Sequence, residues 1–125
     1  MKVYLAAPWN TRHAAHRLAQ TIREAGHEIT SHWHDDWLDQ DTTDPATLCQ
    51  EAQTDFADVI RSEVVLVWNT EKSEGKAVEQ GIAICFEIPV IVTGETRTNV
   101  FQYLAGFSLV PTVEAALEEI AALDV

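Results

Sequence analysis

With 125 residues, 46% of them hydrophobic and 22% charged, and only five Gly and four Pro, the chain is sized for one globular domain over residues 1–125 with a full apolar core. Its formal net charge of −12, from 20 acidic against eight basic residues, repels a nucleic-acid backbone and disfavours binding to such a polymer. Longer apolar runs are soon broken by charges and Met1-Lys2-Val3-Tyr4 leads straight into a strand, so neither membrane nor export is expected and the chain reads as cytoplasmic.

Lys2 to Ala7 reads as a first strand, and the small pair Ala6-Ala7 at its end would let a ligand approach the backbone. Pro8-Trp9-Asn10-Thr11 follows, with Asn10 or Thr11 placed to cap a helix. Ala14, Ala15, Leu18, Ala19, Ile22 and Ala25 form that helix's apolar stripe, and Gly26 ends it. His27 to Trp33 is a weaker strand, expected near a sheet edge because its apolar content is low. The acidic segment His34 to Asp44 is long enough for a lid or pocket wall. No Lys or Arg occurs between Arg23 and Arg61, while nine acids fall from Glu28 to Asp58, which suggests a solvated acidic face.

Asp44-Pro45 starts a helix, Asp at N-cap and Pro at N1, that runs to about Arg61. Glu63 to Trp68 then reads as a strand covered on both faces, and Ser73-Glu74-Gly75 turns the chain into a third helix. Ile88 to Thr93 is a fourth strand closed by Gly94, Glu95 to Ala105 is irregular, Phe107 to Val110 is a fifth strand, and Thr112 caps a last helix. Cys49 and Cys85 lie far apart in helical segments without metal-ligand spacing, so each is expected to be a small buried hydrophobe or a free thiol rather than half of a disulfide.

Strands alternating with helices require parallel pairing through right-handed crossovers. The economical result is a flavodoxin-like three-layer α/β/α sandwich with a five-stranded parallel sheet in order 2-1-3-4-5. In that order the first and third strands are neighbours, and their C-terminal ends frame the crevice where open α/β sheets bind ligands.

Two carboxylates face that crevice from packed helix sides. Asp55 falls in the stripe of Leu48, Ala52 and Val59; Glu79 falls beside Ile82, Ala83 and Phe86. A carboxylate facing a core costs several kcal/mol unless it is paired or used in chemistry. On pattern alone a bonded structural Asp55 and a snorkelling Glu79 are equally good readings. Likewise Ser73 suits an N-cap as well as an anion ligand, and Trp9 and Trp33 suit cover for the sheet's end as well as stacking on a base.

The opening strand Lys2-Val3-Tyr4-Leu5-Ala6, the helical Asp55, the strand Val64 to Val67, and Ser73-x-Gly75-x-x-x-Glu79-x-Gly81-x-Ala83 together resemble the nucleoside 2-deoxyribosyltransferase family and the related 2-deoxynucleoside 5′-phosphate N-hydrolases. The resemblance implies Glu79 as the nucleophile that attacks C1′ and Asp55 as the group that manages the departing base's proton, the two functions a retaining glycosyl transfer needs. The candidate substrate contacts are Ala7, Trp9, Arg12, Trp33, Ser73 and Gly75, with Ser73, the Gly75 amide and Arg12, Lys72 or Lys76 suited to a 5′-monophosphate. Asn99 and Tyr103 would reach a neighbouring subunit's pocket in a homodimer or larger ring. No organic cofactor or metal is implied. Val78, Glu63 and Gln80 depart from the residues common at those positions in the family.

Three rival readings follow from the same residues. One is a non-catalytic nucleotide sensor on this fold, which would not need Glu79. Another is a ribonucleotide or NAD glycohydrolase, since nothing reads the sugar's 2′ position. The third is a metal-dependent activity built on His32, His34, Asp35 and Asp36, which lack a fixed third-ligand spacing and read better as solvated loop residues.

Overall fold

Residues 1–35 and 43–124 are described by the computed structural model. Among them, strands β1 (Lys2–Ala6), β2 (Glu28–Ile29), β3 (Val64–Trp68), β4 (Val90–Thr93) and β5 (Phe107–Val110) form one parallel sheet in the order β2-β1-β3-β4-β5. Helices α1 (Arg12–Glu24), α2 (Pro45–Ile60), α3 (Glu74–Cys85) and α4 (Val113–Leu123) connect or follow the strands, the flavodoxin-like arrangement expected from the alternation.

The two-residue period of the strands divides the core. Val3, Leu5, Val64, Leu66, Ile91 and Val110 face Ala15, Ala19 and Ile22 of α1 and Ala116 and Ile120 of α4. Tyr4, Ala6, Val65, Val67, Val90 and Val92 face the other way, toward Val59 of α2 and Ala83 of α3. The chain therefore leaves β1 for one face and β3 for the other. Because Ala6 pairs with Val67, the two strands end level, and the crevice between them opens where those directions diverge.

Local chemistry sets the helix starts. Asp44 accepts from the Thr47 amide at 3.1 Å with Pro45 at N1, Ser73 accepts from the Lys76 amide, and Thr112 accepts from the Ala115 amide. At α1 neither Asn10 nor Thr11 caps with its side chain. A 3-10 turn (Trp9–Thr11) intervenes, and the Thr11 hydroxyl donates to the Pro8 carbonyl at 2.6 Å. Gly26 ends the helix region at φ 97°, a left-handed conformation that suits glycine.

Three expectations need correction. The second strand is two residues long rather than seven: past Ile29, the Ser31 hydroxyl takes the Leu5 amide at 3.1 Å, so a side chain replaces the ladder and the chain turns at His32. The proposed α2 stripe is buried only at Val59, because the helix packs on the sheet by its last turn and leaves Leu48 and Ala52 exposed. Phe86, at the end of α3, is exposed too. Cys49 and Cys85 are exposed free thiols, the second of the two readings offered for them. No helix among the described residues is long and apolar enough to cross a membrane.

The unusual Gln80 has a structural partner. Its amide nitrogen donates to the Lys76 carbonyl at 3.0 Å, and its oxygen accepts from the Gln102 amide at 2.9 Å. Gln102 is fully buried and its own oxygen accepts from the Thr98 amide at 2.8 Å, which fastens the β4–β5 connection onto α3. Gln102→Ala should strand two buried polar groups and lower stability by about 1–3 kcal/mol, whereas Gln80→Leu with Gln102→Leu should recover most of that loss. Urea unfolding of the three proteins gives the comparison; equal losses in single and double variants would rule out the amide pair as the fastening.

Candidate active site

Tyr4 lies in the middle of β1 with its ring on the α2/α3 side, and its hydroxyl donates to Glu79 Oε2. Glu79 stands in the second turn of α3, directed back toward the strand ends as helical side chains are. Asp55, half-buried on α2, acts on the same pair: its charge raises the pKa of both Tyr4 and Glu79. Thus one strand and two helices bring a phenol and two carboxyls into one niche.

That niche disfavours charge. Burial pushes Glu79 up to about 8; the Tyr4 hydroxyl opposes the rise and Asp55 adds to it. Asp55 is raised to about 6, by burial first and then by Asp58 and Glu51, with His32 pulling the other way. Tyr4 is held well above the ordinary phenol range by burial and then by the two carboxylates. Two neighbouring carboxyl groups with pKa values pushed apart in this way are what acid–base chemistry at neutral pH requires.

Of the other candidates, Ala7 is buried at the end of β1. Trp9 and Trp33 sit with ring centroids 6.4 Å apart, and the Arg12 guanidinium lies 5.1 Å from the Trp9 ring. Trp33 also donates its indole N–H to the Leu5 carbonyl at 2.8 Å and packs on both core layers, so it is cover for the sheet's end whatever else it does. Ser73 is the α3 N-cap. A Cβ built on Gly75 would meet nothing closer than Ser73 Oγ at 4.0 Å, which leaves the first turn open to a ligand.

Ser73 and Asn99 meet in a cleft of about 390 Å³ with Lys72, Lys76, Gln80 and Thr98. Asn99 caps the 3-10 turn Val100–Tyr103, accepting from the Phe101 and Gln102 amides; Tyr103 is exposed beneath the Arg97 guanidinium. Lys76 is almost fully buried, and its ammonium donates inward to Asn69 Oδ1 at 2.8 Å and to the Glu71 carbonyl. It holds the β3–α3 loop in shape, and burial lowers its pKa.

The His-rich turn is not the solvated loop expected. His34 is fully buried, its Nε2 paired with Ser31 Oγ at 2.8 Å. His34 Nδ1 and His16 Nδ1 both face Asp35 Oδ1, and Arg23 donates to the other oxygen at 3.2 Å. His16, His34 and Asp35 lie close enough to share a cation, yet the Arg23 guanidinium already supplies positive charge there and each polar atom has a hydrogen bond. His32 points elsewhere, and Asp36 with the middle of the expected lid lies outside the described residues.

The sequence matches the nucleoside 2-deoxyribosyltransferase family over residues 3–119. The chain belongs to this family. Membership makes it an enzyme of N-glycosidic chemistry on nucleosides or nucleotides, by cleavage or exchange. Solved structures share the fold at low identity. A 2-deoxyribosyltransferase of Bacillus psychrosaccharolyticus superposes with a TM-score of 0.74 at 15% identity, covering 94% of this chain and 90% of that one. A conserved protein of Enterococcus faecalis gives 0.73 at 17%, covering 98% of each chain. A CMP N-glycosidase of Clostridium botulinum gives 0.62 at 14%, covering 98% and 99%. No curated protein matches in sequence.

Within the deoxyribosyltransferase-like frame, two departures have local reasons. Gln80 is matched by Gln102, and Glu63 accepts from the Lys2 amide at 2.8 Å, closing the start of β1. Val78 is exposed, so packing within the chain does not restrict it. Tyr4 was not singled out from sequence, although it could have been: its hydroxyl falls on a fully covered central strand and must find a partner.

Glu79 also leaves a thermodynamic signature. It titrates near 4.5 when unfolded and at about 8 when folded, so the folded chain holds an extra proton across that interval. Its favourable contribution is complete below about 4.5 and is lost as pH rises through about 8. Glu79→Gln should therefore be more stable than the parent at pH 8, by on the order of 1–3 kcal/mol, and should show a flatter stability profile from pH 5 to 8 in denaturant titrations. Parallel profiles would mean that Glu79 ionises freely.

Proposed function

We propose that the protein cleaves or exchanges the N-glycosidic bond of a nucleoside or its 5′-monophosphate through a covalent glycosyl-enzyme formed on Glu79, with Asp55 handling the base's proton. One observation carries this reading: a half-buried Glu79 held by the Tyr4 hydroxyl, beside a second carboxyl that titrates in a different range. A sensor of nucleotides has no use for two carboxyls held at such cost.

At neutral pH the ligand-free pair carries about one proton, mainly on Glu79. The reaction needs the opposite distribution. A sugar in the niche supplies the reason for the exchange, since positive charge growing at C1′ favours the Glu79 carboxylate while a base nitrogen with a free lone pair favours a protonated Asp55. Glu79 then bonds to C1′ as the C1′–N bond breaks, and the Asp55 proton passes to the base. In the second step, water or another base attacks C1′, its proton passes to Asp55, and Glu79 leaves as carboxylate. Tyr4 orients the Glu79 carboxyl throughout and, by its hydrogen bond, eases formation of the anion.

Substrate contacts follow the edge of the sheet. Ala7 admits the sugar close to the backbone, Trp9 and Trp33 with Arg12 form an aromatic and cationic wall for the base, and Ser73 with the open Gly75 turn offers donors to a 5′-hydroxyl or phosphate at the start of α3. Lys76 faces away into its loop, which leaves the exposed Lys72 as the lysine at the cleft for a phosphate. Asn99 stands beside Ser73 in the same chain. No cofactor enters this scheme.

Exposed Leu48 and Phe56 on α2 and Val78 and Phe86 on α3 support self-association through these adjacent helices into a homodimer or larger assembly. Sedimentation at micromolar concentration should show an oligomer that Phe56→Glu weakens; a uniform monomer in the parent would discard this face as an interface.

The chemistry is tested by chromatography of free base after incubation with deoxy- and ribonucleosides and their 5′-monophosphates, with and without a second base. Glu79→Ala should reduce release at least 1,000-fold, and Asp55→Asn should slow it by roughly 100-fold or more. Binding without release by the parent would favour the sensor.

A further inference from the structure

Asp58 lies one helical turn beyond Asp55 on α2, so the two carboxyls sit on adjoining positions of one helix surface. Asp58 is 4% exposed, and both its oxygens are engaged. Oδ2 pairs with His32 Nδ1 at 2.8 Å, and Oδ1 accepts from Arg61 Nε at 3.1 Å. Arg61 reaches past it to donate to the Thr30 carbonyl at 2.7 Å, while the Thr30 hydroxyl donates to the Asp58 carbonyl at 3.0 Å. The end of α2 is thus fastened, by polar bonds alone, to the segment leaving β2.

A brace of this kind does not need a buried charge beside a catalytic carboxyl, and an apolar contact would hold the helix as well. We propose that His32, Asp58 and Arg61 are positioning residues for Asp55: the clamped Asp58 carboxylate fixes a negative charge one turn away and favours the acid form of Asp55, and His32 opposes it from the solvent side. This inference rests on the reading of Asp55 as the group that protonates the base.

The groups facing Asp55 can be set out by element. On α2 itself, Glu51 and Asp58 both raise its pKa; from the segment after β2, His32 lowers it. Glu79 on α3 and Tyr4 on β1 share the niche, and both feel the Asp55 charge. Of these, Asp58 is the acid with the largest effect after burial itself, and it is the one locked in place. His32 is half-exposed at its side chain, whereas Asp58 is buried and held in place. The acid strength of Asp55 is then set by a buried anion and trimmed by an accessible imidazole.

Carboxyl-carbon NMR titration of the full chain, without substrate, reads Asp55 directly in the parent, Asp58→Asn and His32→Gln. Asp58→Asn should lower the Asp55 midpoint by roughly one pH unit, a tenfold change, as expected for like charges roughly 6 Å apart at a partly wet site. His32→Gln, which keeps a donor for Asp58 but removes the titrating ring, should raise it by a few tenths of a unit. Opposite signs support the charge-setting role. An unmoved midpoint in both variants, or shifts of the same sign, would overturn it and leave the cluster as a brace. If Asp58→Asn does not fold, the His32→Gln shift alone decides, a fall or no change counting against the proposal. Base release against pH separates this result from the underlying reading: no release by the parent sinks the N-glycosidic assignment of Asp55, while the titration still shows whether Asp58 controls its charge.

Discussion

The contact between the Tyr4 hydroxyl and Glu79 is the constraint on which the site depends, because it joins an inner strand of the sheet to the second turn of α3. Neither partner can be moved alone. Tyr4 is fully buried between Val3 and Leu5, whose side chains are committed to the opposite layer, and β1 is paired on both sides. Glu79 is fixed by the register of α3, which Ser73 starts and Ala83 packs. The carboxyl consequently sits where water is scarce, and its ionisation depends on what the protein and its ligand place nearby. Reactivity and folding draw on the same contact.

Much of the fold was legible because its signals are local or periodic. Continuous apolar runs at Val64–Val67 and Val90–Val92 marked strands covered on both faces, and Asp44-Pro45, Ser73 and Thr112 announced helix starts that their side chains do make. Alternation of strand and helix then left one economical strand order. The second strand was overread because Ser31 satisfies the Leu5 amide with a side chain, a substitution that no hydrophobic pattern records. The α2 stripe was overread for a related reason: periodicity identifies a face, but not how much of the helix lies over the sheet.

Site residues were legible to different depths. Glu79 and Asp55 stood out as carboxylates on helix sides expected to pack; the Tyr4 hydroxyl bonds to Glu79 and feels the charge of both. Their partners were not legible, because they come from other elements: Gln102 for Gln80, Asp35 for His16 and His34, Asp58 for His32. In each case a polar residue looks anomalous until its match, 15 or more positions away in most of them, folds against it. The His-x-His spacing misled in the same manner. His32 and His34 diverge at the turn, one to a buried acid on α2 and the other to the α1 side.

The acidic balance of the chain bears on what the site will accept. With a net charge of −12, an anionic substrate approaches against the field of the protein as a whole, and only local donors can reverse that. The buried Lys76 does not do so directly, since its protons are spent on Asn69 and the Glu71 carbonyl. What remains at the start of α3 is the Glu74 and Gly75 amides, the Ser73 hydroxyl and Lys72 at the rim of the cleft. These donors form a small patch of favourable potential in acidic surroundings. Such a patch suits one phosphate or hydroxyl and does not suit a polyanion, which agrees with a small nucleoside or nucleotide as substrate and with the exclusion of nucleic-acid polymers. Nearby acids likewise favour the acid form of Asp55, and Asp55 that of Glu79, so the charge that repels polymers also biases these two carboxyls toward holding a proton.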